Sequence, residues 1–196
     1  MEVQLPVSAL PAWKKRLPMA LTMSRLAVCP ILVVLLSLKG NTYSAIAAGL
    51  FILASITDWF DGYFARKYDV ITNMGKFMDP IADKILVATV LIMLIPMNRV
   101  GPILVLILLA RDILIGGVRS VAAADQVVID AKQAGKWKTG LQMVGIPAIL
   151  VHRPIFTIPL NELGLLCLWV SVILSLISGA QYVYVYLEAK RHQLNG

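Results

Sequence analysis

Four aspartates stand at the facing ends of two apolar runs: Asp58 and Asp61 close the first, Asp79 and Asp83 open the second. On helices, intervals of three and four residues put each pair on one face. Carboxylates gathered beside hydrocarbon repel one another and lose hydration, so each tends to take up a proton unless a positive charge compensates. A divalent cation is the simplest compensation. A hard ion such as Mg2+ (or Mn2+) takes a few carboxylates and fills its remaining positions with water and phosphate oxygens. Beside the acids, Gly62 and Ala65 let a bulky ligand approach the backbone, and Arg66 offers a planar fork to phosphate. The alternative is structural, with the acids merely pairing with Lys76, Lys84 and Arg66.

The elements that must position these residues are membrane helices. The chain has 196 residues, of which 59% are hydrophobic and 15% charged, too apolar a balance for a soluble domain of this length. A net charge of +7 could suggest nucleic acid, but the basic residues flank apolar runs, where anionic headgroups and the topology rule account for them. Nucleic acid is therefore excluded as a partner and membrane lipid expected. Cys29 and Cys167 lie inside apolar runs without ligand spacing, which predicts inert buried thiols. His152 sits beside Arg153 and Pro154 in a loop and reads as solvated; with no H-x-K pair, covalent phosphohistidine chemistry is not indicated.

In chain order, residues 1–17 carry Pro6, Pro11 and Trp13-Lys14-Lys15-Arg16, the makings of an interfacial arm. Spans are predicted from Pro18 to Leu38, Tyr43 to Arg66, Lys76 to Ile95 and Pro102 to Ala124. A fifth runs to Leu150 after a loop over Lys132–Thr139, and a sixth runs from Leu160 to Tyr186. Tyr182, Tyr184 and Tyr186 would form an interfacial belt. The expectation is an all-α polytopic membrane protein: a six-transmembrane-helix bundle over 18–190, a short N-terminal interfacial arm over 1–17 and a tail over 191–196. Of the 18 basic residues, all but Lys39, Arg99 and Arg153 fall on one side of such a bundle. Both termini and the aspartates then face the cytoplasm. Within the spans, Arg25 either snorkels or lines a polar site, whereas Arg111 and Arg119, eight apart on one face, are expected to face a polar cavity.

Written out, the central stretch is D-x2-D-G-x2-A-R-x8-G-x3-D-x3-D from Asp58 to Asp83. It resembles the signature of the CDP-alcohol phosphotransferase family, integral membrane enzymes of phospholipid synthesis. The resemblance implies that Asp58, Asp61 and Asp79 hold metal, with Asp83 both a ligand and the catalytic proton acceptor. It also implies that Gly62, Ala65, Arg66 and Thr72 meet the CDP-linked lipid. Leu21-Thr22-x-x-Arg25 resembles the family's first-helix motif and adds Thr22 and Arg25 to that group, although Leu17-Pro18-Met19-Ala20 stands where an upstream Asn is common. A homodimer in the bacterial inner membrane is implied as well.

The signature is silent on the alcohol. Arg111, Arg119 and Lys136 suit an acceptor that carries its own phosphate, unless Arg111 simply pairs with Asp112 and Lys136 marks a cytoplasmic loop. Gly135-Lys136-x-Lys138-Thr139-x-x-Gln142-Met143 and the Arg111–Arg119 segment resemble bacterial family members that use glycerol 3-phosphate, with Asp112 where Glu is usual. This implies phosphatidyl transfer from CDP-diacylglycerol to glycerol 3-phosphate. Inositol phosphate or phosphatidylglycerol is the alternative acceptor. An intramembrane aromatic prenyltransferase would need two separated Asp-rich motifs and more spans. An ion or proton transporter would show broken helices and two related halves, and neither pattern is visible.

Overall fold

The computed structural model describes residues 12–38, 40–67, 73–125, 133–152 and 159–195. Their regular structure is helical: α1 (Ala12–Ser37), α2 (Asn41–Lys67), α3 (Asn73–Leu94), α4 (Pro102–Ala124), α5 (Gln133–Val151) and α6 (Leu160–Asn195). α4 has the expected limits, because extended Gly101 precedes a proline in the first turn, where a missing N–H costs nothing. Three boundaries differ from the sequence reading. α1 starts at Ala12, inside the stretch expected as an arm, and α6 continues past Tyr186 through Glu188, Ala189, Lys190 and Arg191, all good helix formers except for the charge they carry outward. The loop expected over Lys132–Thr139 is helical from Gln133. Gln, Ala and Lys favour helix there, and the cost of Gly135, about 1 kcal/mol, is small beside the packing of the α5 face.

The chain forms two compact units, Met1–Met93 and Leu94–Gly196. In the first, α1 packs on α2 across a short connection, and Leu32, Leu36, Ala47 and Phe51 are fully buried. The small side chains of Ala47 and Ala48 let the two helices approach. On α3, Ala82, Leu86 and Val90 recur every four residues as a buried stripe.

In the second unit α6 is the hub, packing against both α4 and α5. α5 and α6 meet at two glycines: a Cβ at Gly164 would lie 2.6 Å from Ile149 Cγ1 and 2.7 Å from the Gly145 carbonyl oxygen. One at Gly145 would lie 3.0 Å from the Gly164 oxygen, whereas nothing stands within 4 Å at Gly140. Close backbone approach of this kind is how helices associate where lipid removes the hydrophobic drive between them. Gly164→Ala is accordingly expected to cost about 1–3 kcal/mol or more, Gly145→Ala less and Gly140→Ala nothing measurable. Unfolding midpoints of the three variants in detergent would check the order, and equal midpoints would refute the close contact.

The turn between α3 and α4 returns a cap to α5. Asn98 takes a left-handed φ of 55°, which an Asn tolerates, and buried Arg99 donates to the Leu150 carbonyl at 2.9 Å and more weakly to Ile149 at 3.5 Å. A cation on the last carbonyls complements the helix dipole. His152, with φ 51°, closes the same end and is exposed as expected.

At the other end of the unit, Asp125 follows the last turn of α4. It accepts from the Tyr186 hydroxyl at 2.7 Å and from Lys190 at 3.2 Å. Tyr186 is thus buried as a hydrogen-bonding strut rather than displayed in a belt, whereas Tyr184 is exposed. The Tyr186 hydroxyl first, then Lys190, hold the Asp125 carboxyl below the usual aspartate range. A depressed folded pKa contributes stability above the unfolded value of about 3.9 and loses it as pH falls through the folded value. Asp125→Asn should therefore lower the thermal midpoint at pH 7, with variant and wild type converging at more acid pH. Melts across pH 7 to 3 would test this, and parallel curves would refute it.

Large aliphatic side chains face outward, among them Ile103, Leu106, Ile113 and Leu114 on α4 and Leu166, Ile173 and Ile177 on α6. Leu160–Arg191 is long and apolar enough to cross a membrane, and Thr22–Ser37 and Asn41–Thr57 are shorter apolar stretches. Six spans were expected. In α4, Arg111, Asp112 and Arg119 interrupt the apolar run.

Candidate active site

α2 delivers Asp58 and Asp61 in its last turns, and α3 carries Asp79 and Asp83 in its first turns. The helical intervals expected for both pairs are therefore present. The side chains of Asp58, Asp61, Gly62, Ala65, Arg66 and Asp79 lie outside the described residues, as does Thr72 altogether. Asp83 is described, and it forms an ion pair with Arg25 of α1. The two differ in exposure: the Arg25 side chain is 1% accessible, that of Asp83 38%. A guanidinium so enclosed does not snorkel. It faces the carboxylate, one turn from equally buried Thr22 and on the face that Cys29 continues, whose thiol donates to the Arg25 carbonyl. Asp83 is thus held by the protein with its side chain partly open to solvent.

The second unit holds the basic residues. Arg111 of α4 donates through Nε to the Ser175 carbonyl at 2.8 Å and through its terminal nitrogens to Ser178 Oγ at 2.6 Å and Asp112 at 3.1 Å. Gly179 makes room for it, since a Cβ there would stand 3.3 Å from Nε. Arg119, two turns on, lies exposed over the Tyr182 ring at 5.4 Å from its centroid, a cation–π contact. Both arginines turn to α6, as their eight-residue spacing requires.

Lys136 is on α5, and its side chain lies outside the described residues. Lys138, two positions on, is buried, and its ammonium forms an ion pair with Asp112. Asp112 therefore receives two cations, one from its own helix and one from α5. The sequence singles out Arg111, Arg119 and Lys136 as phosphate ligands, with Asp112 as the alternative partner of Arg111, and assigns Lys138 no role of its own. The available signal was Asp112, an acid inside an apolar helix, which demands a partner.

Residues 15–177 match the model of the CDP-alcohol phosphatidyltransferase family. The chain belongs to this family. The matched range takes in every candidate residue from Thr22 to Lys138 and most of the CDP-alcohol phosphatidyltransferase helices described above. A Rickettsia typhi protein named CDP-diacylglycerol–glycerol-3-phosphate 3-phosphatidyltransferase is 40% identical over 169 residues, covering 86% of this chain and 95% of its own length. A Bacillus subtilis protein of the same name is 36% identical over 185 residues, 88% of this chain and 96% of the relative. A rice protein named cardiolipin synthase (CMP-forming) is 36% identical over 151 residues, but these are 70% of this chain and 46% of the plant protein.

Proposed function

We propose that this enzyme transfers the phosphatidyl group of CDP-diacylglycerol to glycerol 3-phosphate, giving phosphatidylglycerophosphate and CMP. The observation that carries the reading is the set of four aspartates at adjoining helix ends, in a chain similar over nearly its whole length to proteins of that name.

Asp58, Asp61, Asp79 and Asp83 would hold Mg2+ (or Mn2+), which when bound neutralises charge on the pyrophosphate. Asp83 accepts the proton of the acceptor hydroxyl. The freed oxygen attacks the lipid-linked phosphorus in line, a new P–O bond forms, the bond to the bridging pyrophosphate oxygen breaks, and CMP leaves with the electron pair. Thr22, Arg25, Gly62, Ala65, Arg66 and Thr72 bind the CDP-lipid. Arg111, Arg119 and Lys136 bind the acceptor's phosphate, with Asp112 and Lys138 keeping Arg111 in place.

The six helices cross the bacterial cytoplasmic membrane as one domain over 18–190, with the outward aliphatic rows against lipid and both termini and the aspartates on the cytoplasmic side. The protein acts as a homodimer. Phosphatidylglycerol as acceptor is a second reading, favoured by the shorter likeness to the rice protein.

Purified protein given CDP-diacylglycerol and Mg2+ is tested for CMP release with glycerol 3-phosphate, inositol phosphate or phosphatidylglycerol. Release with glycerol 3-phosphate alone supports the proposal. Release only with another acceptor would overturn the acceptor assignment, and release with none would overturn the reaction.

A further inference from the structure

Ser171, Ser175 and Ser178 recur at intervals of four and three along α6, which places them on one face. Ser175 and Ser178 meet Arg111 of α4 there. Arg111 sits in an otherwise apolar helix with 15% of its side chain accessible, so its five N–H donors need acceptors close at hand. Two of them go to α6. Nε donates to the Ser175 carbonyl at 2.8 Å, and Nη2 donates to Ser178 Oγ at 2.6 Å. Ser178 in turn donates its own proton to the Ser175 carbonyl at 3.2 Å. With its hydrogen so directed, the hydroxyl shows a lone pair to the guanidinium.

These contacts close a small ring in which only Arg111 is charged. A carbonyl and a hydroxyl orient a guanidinium without cancelling its charge, whereas a carboxylate does both. Asp112 takes a further donor, from Nη1 at 3.1 Å, and is itself shared with Lys138. Among the described residues this leaves one N–H on each terminal nitrogen of Arg111 for a ligand, and such a pair can meet two oxygens of one phosphate. Gly179 keeps the ring uncrowded, since a Cβ there would stand 3.3 Å from Nε and 3.2 Å from Ile115 Cδ1.

We propose that Ser178 is a positioning residue, whose hydroxyl fixes the plane of the Arg111 guanidinium so that its remaining N–H groups are presented to the acceptor's phosphate. The inference rests on the phosphate-binding role of Arg111 proposed above and extends it to a residue that itself touches no substrate. Every protein atom it invokes belongs to α4 or α6, both in the second unit. A serine inside an apolar helix ordinarily bonds back to its own backbone, as Ser178 does. The facing arginine is what gives its lone pair a further use.

The test follows CMP release by the purified full-length protein with CDP-diacylglycerol and Mg2+ over a range of glycerol 3-phosphate, with the thermal midpoint of each variant taken in the same detergent. Ser178→Ala should raise KM for glycerol 3-phosphate by on the order of 10-fold and leave kcat and KM for CDP-diacylglycerol at wild-type values. Inorganic phosphate, competing with glycerol 3-phosphate, should weaken as an inhibitor by the same factor, because the phosphate group is what Arg111 meets. Ser178→Thr, which restores a hydroxyl, should recover the wild-type KM. Gly179→Ala, which crowds Nε instead of removing an acceptor, should raise the same KM and serves if Ser178→Ala does not fold. An unchanged KM for glycerol 3-phosphate, or kcat and both KM values shifting together, would mark the serine as a packing contact and overturn the proposal. Arg111→Gln distinguishes this failure from that of the reading beneath it. If Arg111→Gln leaves KM for glycerol 3-phosphate unchanged, the role of Arg111 itself is lost; if it raises KM and Ser178→Ala does not, only the positioning role falls.

Discussion

Asp83→Asn is expected to reduce CMP release by on the order of 10⁴-fold, because in the proposed mechanism one change removes both a proton acceptor and a metal-site oxygen. Asn keeps the shape but neither the charge nor the basicity. The same substitution takes away the carboxylate that faces Arg25, whose side chain is 1% accessible. A loss of stability is therefore expected alongside the loss of rate, and the thermal midpoint must be measured with the kinetics. If the pair acts as a unit, Arg25→Gln and Asp83→Asn combined will be less damaging than the product of the single effects. Near-wild-type release by well-folded Asp83→Asn would sink the proposed mechanism.

The second large effect concerns stability first. Asp112 receives Arg111 and Lys138, and both cations are largely buried, at 15% and 7% side-chain accessibility. Asp112→Ala leaves two cations in an apolar interior without their shared carboxylate. Breaking a buried pair from one side costs about 3–5 kcal/mol. Asp112→Glu, which keeps the charge, should retain most of the stability. Unfolding in detergent followed by tryptophan fluorescence would measure both variants, and an alanine variant as stable as wild type would show that the cluster is solvated. Because Asp112 also holds Arg111, the alanine variant should raise KM for glycerol 3-phosphate where Asp112→Glu does not.

The two residues of this pair were not equally visible in the sequence. Asp112 beside Arg111 invites a local pairing, and the structure shows that contact at 3.1 Å. Lys138 was hidden by the reading of Lys132–Thr139 as a loop, where a lysine needs no partner. On a helix, positions 136 and 138 point to nearly opposite sides, so one of them must turn inward against a neighbour, and packing on α6 decides which. The tyrosines teach the same lesson. Tyr182, Tyr184 and Tyr186 read alike as a belt, yet Tyr182 lies under Arg119 and Tyr186 holds Asp125, because only the α6 face that meets α4 can reach those partners.

What the sequence determined alone was local: the apolar helices, the limits of α4, and the three- and four-residue spacing of the aspartates. Each of these follows from helical period, turn chemistry and composition within a few residues. The tertiary structure decided the contacts between helix faces. Arg25 meets Asp83 across 58 residues of chain, Lys138 meets Asp112 across 26, and Gly145 stands against Gly164. The physical reason is that periodicity tells which face of a helix is apolar and where its polar groups lie along it. Which other face it meets, and at what height, depends on how closely two backbones can approach, a property of both surfaces together.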